Sequence, residues 1–262
     1  MKLEALPAFS DNYIWMLHDG RQAIVVDPGD AAPVQAALDA QGLALASILV
    51  THHEAGDVGG LGRLRPGLHH ADGTGGQVCS PALKNITTPF VVLKDGDSGT
   101  LMGLTFEVLD VPGHTAGQIA CVHRPSDGTA PVLFCSDTLF SGACGHLFEG
   151  RPAQMHDSLA RLAALPGATR VYCAHEYTAS NLSVAVAVGP ANAELAAAVP
   201  RCQALRAAGQ PTLPSSIAFE RAINPFKRCD VVAVIQSATQ RGAADTSGPA
   251  VLGVLREWKN NF

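Results

Sequence analysis

The sequence predicts a mixed α/β domain followed by a mostly helical one, and three features predict it. Over the first two thirds, short apolar runs alternate with Gly- and Pro-containing turns, the texture of strands. After residue 175 these runs give way to Ala- and Leu-rich stretches with helical spacing, "NLSVAVAVG" and "NAELAAAVPRCQALRAAG". Four of the strand-like runs end on a ligand-type side chain, and loops at strand ends are where a rigid sheet aims side chains into one cleft. The boundary between the regions 1–175 and 176–262 is drawn at this change of texture. At 262 residues and 47% hydrophobic, the chain can bury one large core, or a core and a smaller appendage.

Taken in order, "YIWML" (13–17), "AIVVD" (23–27) and "SILVT" (47–51) read as strands with little polar alternation, as in a sheet covered on at least one side. Between the last two, "APVQAALDAQG" reads as a helix, with Pro33 near its start and Gly42 just past its end. "LTFEVLD" (104–110), "QIACVH" (118–123) and "PVLFCSD" (131–137) continue the strands. "MHDSLARLAALPG" (155–167) reads as a helix ending at Pro166-Gly167, and "RVYCAH" (170–175) as the last strand of this part.

Composition excludes several function classes. The formal net charge is -5, from 18 Lys and Arg against 23 Asp and Glu, with no basic block to draw nucleic acid or an anionic membrane surface. No run reaches the length of a transmembrane helix. The N-terminal "MKLEALPAFSDNYIW" carries Glu4, Pro7 and Asp11 where a secretion signal needs an unbroken apolar stretch. The seven cysteines are scattered, odd in number and without a Cys-x-x-Cys pair, which suits free thiols in a reducing compartment. The expectation is a cytoplasmic monomer acting on a small molecule.

The four ligand-bearing stretches are "ILVTHHEAGD" with His52, "LDVPGHTAG" with His114, "LFCSDTLF" with Asp137 and "VYCAHEYT" with His175. His and Asp are natural ligands for zinc, iron and manganese. Pro112-Gly113 forms a tight turn that fixes one imidazole direction. Taken singly, each has a plainer reading: a hydrogen-bonded histidine, or a turn cap for Asp137. Four of the same local form together favour one shared site. His69 and His70 lie in a polar loop, His18 and His123 in strand-like contexts, and His156 opens a helix. Asp27 in "VVDPG" reads as a turn residue.

These stretches, in this order and together with "PAFSDNYIW", "FCSDTLFSGACGHLFEG", "YCAHEYTASNL", "NPFKR" and "LREWKNNF", resemble the metallo-β-lactamase superfamily. Within it the chain is similar to the glyoxalase II, or hydroxyacylglutathione hydrolase, family. The resemblance implies an αββα sandwich of two β-sheets flanked by helices, with a C-terminal helical domain that holds glutathione. The family motif Thr-His-x-His-x-Asp-His here reads Thr51-His52-His53-Glu54-Ala55-Gly56-Asp57. Carried over by position, His52, His114 and Asp137 would hold a first ion, with Glu54 replacing an imidazole. Asp137 and His175 would hold a second, with Asp57 replacing an imidazole and nothing replacing the carboxylate lost at Gly56. One or two ions of zinc, iron or manganese are implied, the second bound weakly, and oxygen ligands tilt the preference toward harder ions.

The implied chemistry is hydrolysis of S-D-lactoylglutathione to glutathione and D-lactate, with Asp137 as the catalytic residue holding the metal-bound hydroxide. Carboxylates in place of imidazoles weaken the Lewis acid, so activity below the family norm is expected. His146, Tyr177, Arg256 and Lys259 resemble the family's glutathione contacts, with His146 where the family has Arg or Lys. Two other readings compete: a mononuclear superfamily member such as a persulfide dioxygenase, and a paralogue without catalysis.

Overall fold

A computed structural model describes residues 1–82 and 89–262. The first sheet takes its strands in chain order: β1 (Lys2–Ala8), β2 (Asn12–His18), β3 (Gln22–Val26), β4 (Ala44–Leu49), β5 (Gln77–Pro81) and β6 (Val91–Leu93). It is antiparallel from β1 to β3 and parallel from β3 to β6. Helix α1 (Ala31–Gln41) makes the β3–β4 crossover. Asp30 caps its start by accepting from Ala32 N (2.9 Å), and Gly42 closes it at φ +64°. Two single turns, α2 (Ala55–Val58) and α3 (Leu61–Leu64), follow β4.

β2 explains why these strands lack polar alternation. Trp15 and Leu17 point into the central core, whereas Ile14 and Met16 point to the opposite face and pack in the layer that holds Val34 and Leu38 of α1. Both faces are covered, so both sets of positions must be apolar. Each such side chain contributes roughly 1.5–3 kcal/mol through burial.

The second sheet has the order β14-β13-β10-β9-β8-β7, built from β7 (Ser98–Leu101), β8 (Leu104–Asp110), β9 (Ile119–His123), β10 (Val132–Phe134), β13 (Arg170–Tyr172) and β14 (Ser215–Ser216). A small hairpin, β11 (Leu139–Phe140) with β12 (Ala143–Cys144), stands apart from both sheets. β10 is shorter than the apolar run suggested: Cys135, Ser136 and Asp137 leave the strand, with Ser136 at φ +38°. Helix α4 (Pro152–Ala163) starts ahead of residue 155, because Pro152 suits the first helical turn.

The helical region comprises α5 (Thr178–Val188), α6 (Ala193–Ala207), α7 (Ile217–Ile223), α8 (Val232–Thr239) and α9 (Gly248–Asn260). It does not bury its apolar faces alone. Leu213, Ile217, Phe226, Val251, Leu252 and Leu255 join the core that also contains Phe106, Ile119 and Leu133 of the second sheet. β14, unexpected from sequence, extends that sheet from beyond the compositional boundary. The two layers of sheet, α1 on one side and helices on the other, form the αββα sandwich that the resemblance implied.

All seven cysteines are buried and unpaired, and burial holds their thiols above the usual pKa. No described helix is long and apolar enough to cross a membrane.

Candidate metal centre

The four stretches meet at one end of the sandwich. One ligand-type atom each from His52, Glu54, His114 and Asp137 lies within 4.8 Å of the others. Asp137 Oδ2 sits between two imidazoles, 3.5 Å from His114 Nε2 and 3.4 Å from His175 Nε2. Glu54 Oε1 is 3.4 Å from His114 Nε2. His52, His114 and Asp137 are buried, and Glu54 is half-buried.

Each imidazole is held from behind. His114 Nδ1 donates to the carbonyl of His146 (2.8 Å). His175 Nδ1 donates to Asp11 Oδ1 (2.6 Å). His52 Nδ1 faces Thr51 Oγ1 (3.1 Å), whose hydroxyl donates to Asp27 Oδ2 (2.9 Å). With Nδ1 carrying the proton in each ring, all three Nε2 lone pairs turn into the cluster, as metal-binding histidines require. Burial pushes the His52 pKa down to about 4 and keeps that ring neutral.

Asp137 is aimed by backbone rather than by a regular strand. The preceding Ser136 has positive φ, and the Gln118 amide oxygen, in the orientation that satisfies its neighbours, accepts from the backbone N–H of Asp137 (3.2 Å) and of Thr138 (3.3 Å). Gly113 supplies the tight turn before His114: at φ +151°, a Cβ there would lie 2.9 Å from Met155 Cα.

The residues fit a metal ion. Among the described residues, His52 Nε2, His114 Nε2 and Asp137 Oδ1 are buried and have no hydrogen-bond partner, although anionic oxygens stand nearby. Unpaired buried lone pairs facing carboxylates are costly unless a cation lies between them. His and carboxylate donors suit zinc, iron or manganese.

Asp57 faces His52 and Ser136. Its Oδ2 lies 3.2 Å from His52 Nε2 and its Oδ1 accepts from Ser136 Oγ (3.4 Å). With Asp27 and His52 it forms a second buried group. Among the described residues, no such group joins Asp57 to His175. Burial, followed by the charges of Asp137 and Asp27, holds the Asp57 carboxyl well above the usual range. Sequence reading left Asp27 as a turn residue. It is one, at φ +50°, but it also accepts from Thr51 N (2.7 Å) and lies in this second group.

Around the cluster, Tyr177 stacks parallel on His175 (4.6 Å, 6°). His146 stacks on Phe148 (4.6 Å), and Phe148, 62% exposed, lies 5.2 Å from the His114 ring. Burial lowers the His146 pKa, so it carries little charge at neutral pH. Lys259 is half-buried, and burial followed by the Arg256 charge brings its pKa down to about 8. Arg256 is buried, and its Nη1 donates to the carbonyl of Cys144 (2.7 Å). Sequence reading missed Asp11, Gln118 and Phe148. All three lie inside quoted stretches, Asp11 in "PAFSDNYIW", Gln118 in "QIACVH" and Phe148 in "FCSDTLFSGACGHLFEG", but nothing local to them marks a role at the cluster.

Comparison with known proteins agrees with this geometry. The family model described as "Metallo-beta-lactamase superfamily" matches residues 8–175, and that described as "Hydroxyacylglutathione hydrolase C-terminus" matches residues 176–262. A hydroxyacylglutathione hydrolase of Albidiferax ferrireducens is 52% identical over all of both chains. One of Cupriavidus metallidurans is 50% identical over 100% of this chain and 99% of its own. Among solved structures, ETHE1 from Myxococcus xanthus is similar with a TM-score of 0.63 at 24% identity, over 98% of this chain and 91% of its own. The BLEG-1 B3 metallo-beta-lactamase follows with a TM-score of 0.60 at 21% identity, over 86% and 99%. These two likenesses speak to the fold. Full-length likeness to curated hydrolases favours thioester hydrolysis over the dioxygenase and non-catalytic readings. The chain belongs to the metallo-beta-lactamase superfamily and, within it, to the hydroxyacylglutathione hydrolases, metal-dependent enzymes that cleave thioesters.

Proposed function

We propose that the chain hydrolyses S-acylglutathione thioesters, S-D-lactoylglutathione first among them, at a centre that works with a single ion held by His52, Glu54, His114 and Asp137. The observation that carries this reading is the convergence of unpartnered, buried His52 Nε2, His114 Nε2 and Asp137 Oδ1. The two buried groups share His52, whose Nε2 has one lone pair, so they cannot both be complete at once. Position 56 offers no side chain to build a second cage around His175.

Two imidazoles with two carboxylates suit manganese or iron as well as zinc. When bound, such an ion supplies a Lewis acid for the thioester carbonyl and lowers the pKa of water. Asp137 orients the attacking water beside the ion. His175, braced by Asp11 and Tyr177, fixes the other side of Asp137 Oδ2. Lys259 supplies positive charge for a glutathione carboxylate, and the uncharged His146 with Phe148 offers a stacking surface instead of a cation.

The test is the ion content of purified protein together with hydrolysis of S-D-lactoylglutathione. The expected result is about one ion of zinc, iron and manganese combined per chain, with thioesterase activity that a chelator removes. Protein holding under about a tenth of an equivalent, and inactive after metal addition, would overturn the reading.

A further inference from the structure

Between Asp137 and His146 the chain forms the β11–β12 hairpin, and its turn is gripped by side chains of the helical region. Asn224 Nδ2 donates to the carbonyls of Phe140 (3.3 Å) and Ala143 (2.9 Å). Asn181 Nδ2 donates to Ser141 O (2.9 Å), and Arg256 Nη1 to Cys144 O (2.7 Å). The N–H of Gly142 donates to Glu220 Oε2 (2.9 Å). Glu220 is fully buried and also accepts from Asn224 Nδ2 (3.0 Å) and from the Ser215 hydroxyl. A carboxyl group this deep persists because its oxygens are engaged by these donors.

The gripped hairpin touches the metal centre on three sides. Gly145 packs so closely that a Cβ there would lie 1.9 Å from the Asp137 carbonyl and 3.2 Å from His114 Nδ1. The next carbonyl, that of His146, holds His114 Nδ1. The Phe140 ring meets His175 edge-on (5.8 Å) and Tyr177 likewise (5.4 Å). A hairpin of two-residue strands has too few bonds of its own to hold this shape.

We propose that Glu220, with Asn224, is a positioning residue: from α7 and its C-terminal end it holds the β11–β12 hairpin at the distance that sets His114, Asp137 and His175 around one point. The inference rests on the metal-centre reading above. Loss of the Glu220 carboxyl frees Gly142, loosens Gly145 against Asp137 and unseats the carbonyl behind His114. Glu220→Gln preserves the grip, because its amide oxygen can accept from Gly142 while its NH2 faces the Ser215 hydroxyl, which can turn to accept.

The test compares the full chain with Glu220→Ala, Glu220→Gln, Asn224→Ala and a remote core control, Leu38→Ala in α1. Five readouts apply: Mn²⁺ affinity by titration, the visible spectrum of Co²⁺-loaded protein, exchange of the Gly142 amide, the imidazole NMR shifts of His114 and His175 without metal, and kcat and KM for S-D-lactoylglutathione. In Glu220→Ala, Gly142 exchanges faster, both imidazole signals move, and Mn²⁺ binds roughly 10- to 100-fold more weakly, the range found for outer partners of metal ligands. kcat falls more than KM rises. Glu220→Gln recovers most of each change, and Leu38→Ala changes none of them.

Unaltered imidazole shifts and metal affinity in Glu220→Ala overturn the proposal, as does an equal loss in Leu38→Ala. If Glu220→Ala does not fold, Asn224→Ala is judged by the same criteria. If the unaltered chain takes up no ion, the metal-centre reading fails, and the imidazole shifts and Gly142 exchange still decide the positioning role.

Discussion

The two walls of the metal cage are built in different ways. The wall of His114, Asp137 and His175 comes from the second sheet, and each of these residues has an outer partner: the His146 carbonyl for His114, Gln118 for the backbone of Asp137, and Asp11 for His175. The wall that follows β4 carries His52, Glu54, Gly56 and Asp57, and His52 is its braced imidazole, held through Thr51 and Asp27. The first wall is preorganised by bonds that reach across the fold. The second concentrates carboxylates in a buried place, where a proton or a cation offsets their charge. Bracing of a ligand and its chemical identity can therefore vary independently within one site.

The largest expected effect comes from breaking the braced wall. Asp137→Ala removes the oxygen between His114 and His175 and should lower thioester turnover by more than the roughly 100-fold that outer partners are worth. Near-normal turnover in that variant would end the distinction between the walls.

Repairing the other wall comes next. Among the described residues, a Cβ at Gly56 meets Asn12 Nδ2 at 3.8 Å, an ordinary contact, so a side chain fits there. Glu54→His, Gly56→Asp and Asp57→His together should raise ion content from about one to about two per chain, and hydrolysis on the order of 10-fold. Unchanged ion content would mean that this wall does not limit the centre.

A smaller effect tests bracing alone. Asp11→Ala should weaken metal binding roughly 10-fold, read by titration against the unaltered chain. Burial pulls the His175 pKa down, but Asp137 and Asp11 outweigh it and bring it up to about 8. The protonated ring prevails below that pH and, through Nε2, engages the Asp137 carboxylate that would otherwise face the ion, so affinity should climb as pH rises toward 8. Asp11→Ala should move the climb to lower pH, and an unmoved profile would show that Asp11 does not act through His175.

The smallest effect lies at the rim. Lys259 loses its charge as pH rises through about 8, so KM should increase above that pH, and Lys259→Gln should flatten the increase.

Much of this was legible in the sequence because it is local. An apolar run followed by His or Asp marks a strand end, and the pattern located His52, His114, Asp137 and His175. The helix 31–41 was legible from Pro33 and Gly42. What stayed hidden depends on distant partners: Asp11 beside His175, Gln118 under Asp137, and Glu220 under Gly142 lie far from their partners along the chain. Asp27 was hidden for another reason, since its turn chemistry accounts for the residue without reference to Thr51. The two-residue β14 is too short to leave a period.

The seven sequestered thiols have a bearing on self-protection. A thioester is an acyl donor to any accessible thiolate, and a catalyst that gathers such donors risks labelling itself. Here all seven cysteines are buried and burial keeps their thiols protonated, which makes each a poor acceptor for an acyl group.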